Sequence, residues 1–401
     1  MILLRWNFHV GRSMSVERVT GMSVRLLCML FLIVFAGCAR PPSSDPPPPP
    51  PEKVQPLDPV SWDDIEGWMQ DDPAEALQVF LRSCRPLRFR AQWQQVCAEA
   101  ATIETGDAVR DFFETRFTPH RVRNPDGSDT GTITGYYAPD LDGSRKRSER
   151  YAYPLYALPD DLLVIDLGEV YPELGNYRLR GRVDGRRVVP YWSRNELDGG
   201  DSPIKGKELF WVEDPVELFF LHIQGSGRIN LANGEQIMVS YADQNGHPYR
   251  SIGKLLLDRK EMTRDQMSMQ NIQAWARKNP DKVDRLLGEN PSYIFFREVP
   301  DAVDGPPGAL GVPLTSQRSL AVDPRTIPLG APVFLSTTWP NSTDPLRRLM
   351  IAQDTGGAIK GAVRGDFFWG AGDGAGELAG RMKQQGRMWV LLPITEKTAA
   401  N

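Results

Sequence analysis

The stretch IAQDTGGAIKGAVRGDFFWG, Ile351 to Gly370, places two aspartates in a passage punctuated by glycine. Residues 348–354 are apolar enough to read as a strand, and Asp354 stands at its end. Asp366 follows Gly365 and precedes Phe367, Phe368 and Trp369. Upstream, residues 319–322 read as another strand, which runs into Asp323-Pro324. An aspartate at a strand end is held by a rigid element yet faces solvent, and glycine lets a ligand approach the backbone. Three such aspartates are either reacting and orienting groups or turn residues bonded to nearby amides, and spacing alone leaves both readings open. Asp323 before a proline is most simply a turn residue. Lys360 is either a ligand-contacting cation or a solvated lysine.

Working outward, residues 332–336 and 389–392 continue the strand rhythm. So do 132–137, 162–166, 177–183, 186–191 and 293–298, all bounded by Gly, Pro, Asn or Asp. Residues 209–223 and 235–241 flank Gln224–Gly227 and Asn233-Gly234 in a hairpin-like layout. Helical spacing governs 58–118, with Trp62, Ile65, Trp68 and Met69, then Ala76, Leu77, Phe80 and Leu81, three and four apart. Helix returns at 251–258 and at 263–278, where Thr263 as N-cap and Gln266 three residues on have the capping-box spacing. The expected class is mainly β with helices. Cys84 and Cys97 are either a disulfide or two buried thiols.

At 401 residues the chain has room for two or three domains. Its 47 Lys and Arg against 51 Asp and Glu give a net charge of −4, a poor basis for nucleic-acid binding, which needs clustered cations. Four cysteines and four histidines are scattered without metal-ligand spacing, so no metal or other cofactor is expected. Ser226 lies in Gly225-Ser226-Gly227, but Gln224 breaks the Gly-x-Ser-x-Gly pattern of a nucleophile elbow. No third glycine makes Gly225-Ser226-Gly227 a dinucleotide fingerprint.

Near the start, Arg18 and Arg25 precede ten apolar residues, 26–35, followed by Ala36-Gly37-Cys38. Ten residues are too few to span a bilayer as a helix, and the pattern is that of a secretory leader over 1–37. It resembles a bacterial lipoprotein signal, which would make Cys38 the lipidated first residue. Ala39 in the next position then implies outer-membrane anchoring, facing the periplasm. Residues 38–57, with Pro46–Pro51 in one run, read as a stiff tether.

The aspartate segments, together with Gly135-Tyr136-Tyr137-Ala138-Pro139, His222–Gly227, Tyr241–Lys254, Met267–Gln270 and Asn290–Tyr293, resemble the membrane-bound lytic murein transglycosylase A family over about residues 60–395. The resemblance implies a double-psi β-barrel domain from 58–139 and 298–395, with a three-aspartate domain at about 315–393. A mostly β domain at 140–297 would be inserted into it. It implies cleavage of the MurNAc-GlcNAc β-1,4 bond of peptidoglycan without water, leaving 1,6-anhydro-MurNAc. Glycan strands are the implied partner, with other cell-wall enzymes as further partners. Asp366 matches the single general acid/base, its pKa raised in a dry groove beside Phe367, Phe368 and Trp369. Tyr136, Tyr137, Gln224 and Asp354 match substrate-binding positions. Tyr241, Asn245 and His247 fall in a matched segment but equally suit core and turn roles. An alternative is an inverting hydrolase on the same barrel, with Asp354 as second carboxylate at the separation of about 6.5–9.5 Å that such enzymes use. Another is a murein-binding lipoprotein without activity.

Overall fold

The computed structural model describes residues 54–394 except 105, 176, 265 and 300–304. The leader, Cys38 and most of the proline-rich tether lie outside the described residues.

Three sheets organise the chain. The first has eight strands, in the order Leu57–Pro59, Phe117–Val122, Lys383–Pro393, Pro332–Thr338, Pro345–Asp354, Ser319–Val322, Gly365–Ala371 and Gly131–Ala138. Lys383–Gly386 also pairs with Gly131–Thr134, so the last strand is tied back to the third and six strands are linked in a circuit. The second sheet orders Ile294–Val299, Gln236–Gln244, Ser226–Leu231, Asp140–Ser144, Glu208–Val212 and Tyr153–Tyr156. A third, of three strands, comprises Leu163–Ile165, Leu179–Asp184 and Arg187–Pro190. The chain therefore passes from the first sheet to the second across the single residue Pro139.

Before the first sheet's long strands come the helices Ala74–Leu87, Ala91–Ala100 and Asp107–Arg116. Ala76, Leu77, Phe80 and Leu87 of the first helix are fully or almost fully buried. Phe80 meets Trp93, Phe112, Phe113 and Phe117 with ring centroids 5.8–6.4 Å apart, a knot of aromatics that covers one flank of the circuit. Cys84 and Cys97 form a disulfide joining the first two helices, which settles that pairing. Arg318, almost fully buried, bonds to Asp71 (2.7 Å), Glu75 (3.0 Å) and the Asp72 carbonyl (3.0 Å). The same Asp71 carboxylate accepts the Leu349 N–H at 2.7 Å. One guanidinium thus fastens the start of the helical segment to two strands of the circuit.

Several expected elements shift. Residues 209–223 do not form one arm of a hairpin. A strand ends at Val212, and Pro215–Gln224 is a helix. Asp214 caps it by accepting from the Val216 and Glu217 amides, Pro215 occupies its first turn, and Gly225 ends it at φ 79°. The hairpin is instead Ser226–Leu231 against Gln236–Gln244. The helix expected from 263 begins at Met269 and is capped by Ser268, which accepts from the Asn271 amide. Thr263 and Gln266 make a separate turn in which the Thr263 N–H donates to the Gln266 side chain. The strand Gly365–Ala371 and the helices Pro280–Gly288 and Asp373–Arg381 are additional elements.

Removing one member of a buried ion pair strands the other in a medium that cannot solvate it. Asp71→Ala should therefore lower unfolding free energy by about 3–5 kcal/mol in denaturant titrations. Reduction of the Cys84–Cys97 bridge, which closes a short loop, should cost about 3 kcal/mol and lower Tm without changing the order of strands.

Candidate active site

Strand alternation sets the two sides of Gly365–Ala371 apart. Phe367 and Trp369 enter the main core with Leu320 and Ile133. Asp366 and Phe368 face the other way, beside Ala321 and Tyr136. Of the three aromatics expected to dry the acid's surroundings, only Phe368 shares its side. Phe367 and Trp369 act from behind, by keeping the strand buried.

Asp366 is paired on one side with Ala321 and on the other with Thr134. Asp354 is the partner of Ala321 from the opposite strand, across a bulge. Two carboxylates thus flank one small residue, with backbones about two strand spacings, roughly 9.6 Å, apart. Both residues are half-buried. Burial pushes Asp366 up to about 6, and the neighbouring Asp354 acts in the same direction; Thr134 and Arg364 pull it down. Thr134 Oγ1 donates to Asp366 Oδ1 at 2.5 Å, and Arg364 Nη2 donates to Thr134 Oγ1 at 2.8 Å. Asp354 is also raised by burial, opposed by amide bonds from Ala309 and Thr355 and by the Tyr136 hydroxyl. Tyr136 Oη donates to Asp354 Oδ2 at 3.0 Å, and the Ala309 N–H donates to Oδ1 at 2.9 Å. The Tyr136 ring lies 5.1 Å from that of Phe368.

Asp323 belongs to a different chemistry. Arg325 donates to both its oxygens, at 2.9 and 2.5 Å, and the Gly361 N–H adds a bond of 2.8 Å. These bonds, Arg325 first, hold its carboxyl well below the usual range, so it is a fixed anion that shapes the loop. Lys360, in the same loop, is exposed.

Tyr137 and Gln224 stand elsewhere. Gly135 and Tyr137 alternate with Thr134 and Tyr136 along the strand, so they present the side opposite Asp366. There a cavity of about 240 Å³ is lined by Tyr137, Gln224, Ser251, Met267, Met269 and Gly376, among others. The Tyr137 N–H donates to Gln224 Oε1 at 3.1 Å, and its hydroxyl contacts Met269 Sδ at 3.2 Å. Burial raises Tyr137 to about 12, so it stays a neutral donor. Glu217, pushed by burial to about 7, accepts from Gln273 Nε2 at 2.9 Å on this same side. Asn245 is a structural knot. Its Nδ2 donates to the Trp192 and Pro291 carbonyls, and its Oδ1 accepts from the Tyr293 and His247 amides. His247 Nε2 lies 2.7 Å from the Tyr191 carbonyl, and Tyr241 donates to Asp243 at 3.2 Å.

Sequence reasoning passes over Thr134, Arg364 and Glu217. Thr134 matters only through its register with Asp366. The one linear signal is that it stands two residues before Tyr136, on the same side of an expected strand. Arg364 is visible two residues before Asp366, but nothing linear shows that it bonds to a threonine far away in the chain.

Comparison with known proteins matches residues 132–297 to the MltA specific insert domain and residues 318–392 to the 3D domain. Membrane-bound lytic murein transglycosylase A of Escherichia coli strain K12 is 31% identical over 318 residues, covering 78% of this chain and 79% of that protein. The crystal structure of MltA from Neisseria gonorrhoeae is 42% identical, with a TM-score of 0.73 over 84% of this chain and 91% of that one. The E. coli MltA structure with bound chitohexaose is 28% identical, with a TM-score of 0.66 over 86% of this chain and 96% of that one. With two domain models in order along the chain and a relative of this identity matched over most of both sequences, the chain belongs to the membrane-bound lytic murein transglycosylase A family.

Proposed function

We propose that this protein is a lytic transglycosylase that cleaves the MurNAc-GlcNAc β-1,4 bond of peptidoglycan, with Asp366 as its single general acid and base. The observation that carries this reading is a half-buried carboxyl raised to about 6 and held in place by a threonine. Near neutral pH such a group can give up a proton and take one back. Protonated Asp366 donates to the glycosidic oxygen as the C1–O bond breaks. The C6 hydroxyl of the same muramic acid attacks C1, and its proton passes to the Asp366 carboxylate, which restores the acid. The nucleophile is part of the substrate, so correct orientation replaces a second reactant.

Asp354 fits an orienting role better than that of a base for water, because the bonds from Tyr136 and the Ala309 amide hold both its oxygens in place and favour the ionised form, which weakens it as a base. That favours the transglycosylase over the inverting hydrolase. Tyr136 and Asp354 would meet the sugar at the cleavage point. Tyr137 and Gln224 would contact glycan at the cavity on the strand's other side. The relative solved with chitohexaose supports a glycan ligand. The circuit of six strands supports a double-psi β-barrel, built from the segments at 58–139 and 298–395 that bracket an inserted domain at 140–297. The leader pattern and the relatives' membrane-bound name support lipidation at Cys38 and outer-membrane attachment facing the periplasm.

Asp366→Asn should reduce release of anhydro-muropeptides from isolated sacculi by a factor of about 10² or more. Products of the wild-type enzyme should be one water lighter than hydrolysis products by mass spectrometry. Full activity of the variant, or products bearing the added water, would overturn the reading. The acid must be protonated to start the reaction, so kcat/KM should fall as pH rises through about 6. Stability changes in the same window. A carboxyl whose folded pKa is raised from 3.8 to about 6 binds more protons folded than unfolded between those values. Its contribution to stability is therefore lost as pH rises through them. Asp366→Asn should raise Tm at pH 8 and leave it nearly unchanged at pH 4, as scanning calorimetry would show.

A further inference from the structure

We propose that Thr134, its hydroxyl aimed by Arg364, confines the acidic proton of Asp366 to Oδ2 and so fixes which oxygen is offered to the glycosidic bond. This rests on the reading of Asp366 as the acid and adds two positioning residues to it. A threonine hydroxyl has one hydrogen to give and two lone pairs to receive with, whereas a guanidinium only gives. Arg364 Nη2 occupies a lone pair of Thr134 Oγ1 at 2.8 Å. Among the described residues, the acceptor left for the threonine hydrogen is Asp366 Oδ1, at 2.5 Å. A proton on Oδ1 would either oppose that hydrogen or, by donating to the second lone pair of Oγ1, turn the threonine hydrogen away from the acceptor left to it. When Asp366 is neutral, the proton therefore belongs on Oδ2. Arg364 is itself held, because Nη1 donates to the Thr132 carbonyl at 3.2 Å and to the Gly365 carbonyl.

The turn after Ser319–Val322 supplies a contrast. Arg325 grips Asp323 directly, through both oxygens, and that carboxyl stays ionised. A guanidinium bonded in that way to Asp366 would abolish its acidity near neutral pH. Placing a hydroxyl between Arg364 and Asp366 passes on the direction of the bond while withholding the full salt bridge. The charged and titratable groups facing Asp366 are Arg364 from the preceding residues, Asp354 across Ala321, and Tyr136 from the neighbouring strand. Thr134 is the one that touches the carboxyl and carries no charge.

The test compares wild-type full-length protein with Thr134→Val, Thr134→Ser, Arg364→Met and Asp366→Asn, measuring kcat and KM on soluble glycan oligomers across pH. Thr134→Val should lower kcat about tenfold while KM stays within about twofold. It should also move the alkaline limb of kcat/KM to higher pH, because a bond favouring the ionised form is gone. Thr134→Ser should restore both. Arg364→Met frees the hydroxyl and removes a cation; it should move the limb the same way with a kcat loss of about threefold, and it carries the test if Thr134→Val does not fold. Wild-type kcat and an unmoved limb in Thr134→Val, or in Arg364→Met where that variant carries the test, would overturn the inference. So would failure of Thr134→Ser to rescue. An inactive Asp366→Asn beside a normal Thr134→Val would overturn this inference alone, whereas a fully active Asp366→Asn would overturn the acid assignment beneath it.

Discussion

The placement of Asp366 depends on backbone pairing on both sides of its strand. Ala321 on one neighbour and Thr134 on the other decide that its side chain points away from the core. Side chains alternate with a period of two, so a slip of one residue would exchange Asp366 with Phe367. The carboxylate would then enter the space now filled by Ile133, Leu320 and Trp369, where nothing could solvate it, and a phenyl ring would stand where the carboxyl now does. The outward placement of the Asp366 carboxyl and the packing of the core are enforced by the same ladder of hydrogen bonds. Ala321 contributes by being small, since a larger side chain there would fill the gap between the two carboxylates.

Closure of the six-strand circuit protects that register. A strand in an open sheet can slide when its outer edge is free, but here Gly131–Ala138 is bound along both edges, to Gly365–Ala371 and to Lys383–Pro393. The helical segment braces the circuit from outside. Gln353, fully buried, accepts from Ser319 Oγ at 2.6 Å and donates to Ser83 Oγ at 2.8 Å on the first helix. Asp354 comes next in the chain. The orientation of that second carboxylate thus follows from a satisfied polar residue packed against a helix more than 250 residues earlier in sequence.

Much of this is legible in the order of residues. The strand that holds Thr134 announces itself by Thr, Ile and Tyr between Gly131 and Pro139, the one that ends at Asp354 by its apolar run before Thr355-Gly356, and Ser319–Val322 matches its expected limits. The strand around Asp366 is less visible because Gly365 and Gly370 bracket it with turn residues, although Phe367, Phe368 and Trp369 are strand formers. The helix Pro215–Gln224 is hidden for another reason. Leu218, Phe219 and Leu221 are buried, and a run that is apolar on nearly every side masks helical spacing, so the signals to heed are its ends: Asp214-Pro215 before it and Gly225 after it. The division of Tyr136 from Tyr137 is implicit in strand alternation, but treating the two tyrosines as one motif conceals it. The link from Arg364 through Thr134 to Asp366 joins residues 230 or more positions apart, and no local pattern encodes it.

The two larger sheets meet at Pro139, with Ala138 ending one strand and Asp140 beginning the next. The far side of this joint is clamped, because Arg228 bonds to both oxygens of Asp140 at 2.6 Å and its amide donates to the Pro139 carbonyl at 2.8 Å. Proline fixes one of its two soft torsions, leaving little slack to absorb a displacement. A displacement of the second sheet would therefore pass to the strand that carries Thr134 with little loss, which makes the joint a rigid coupling rather than a hinge.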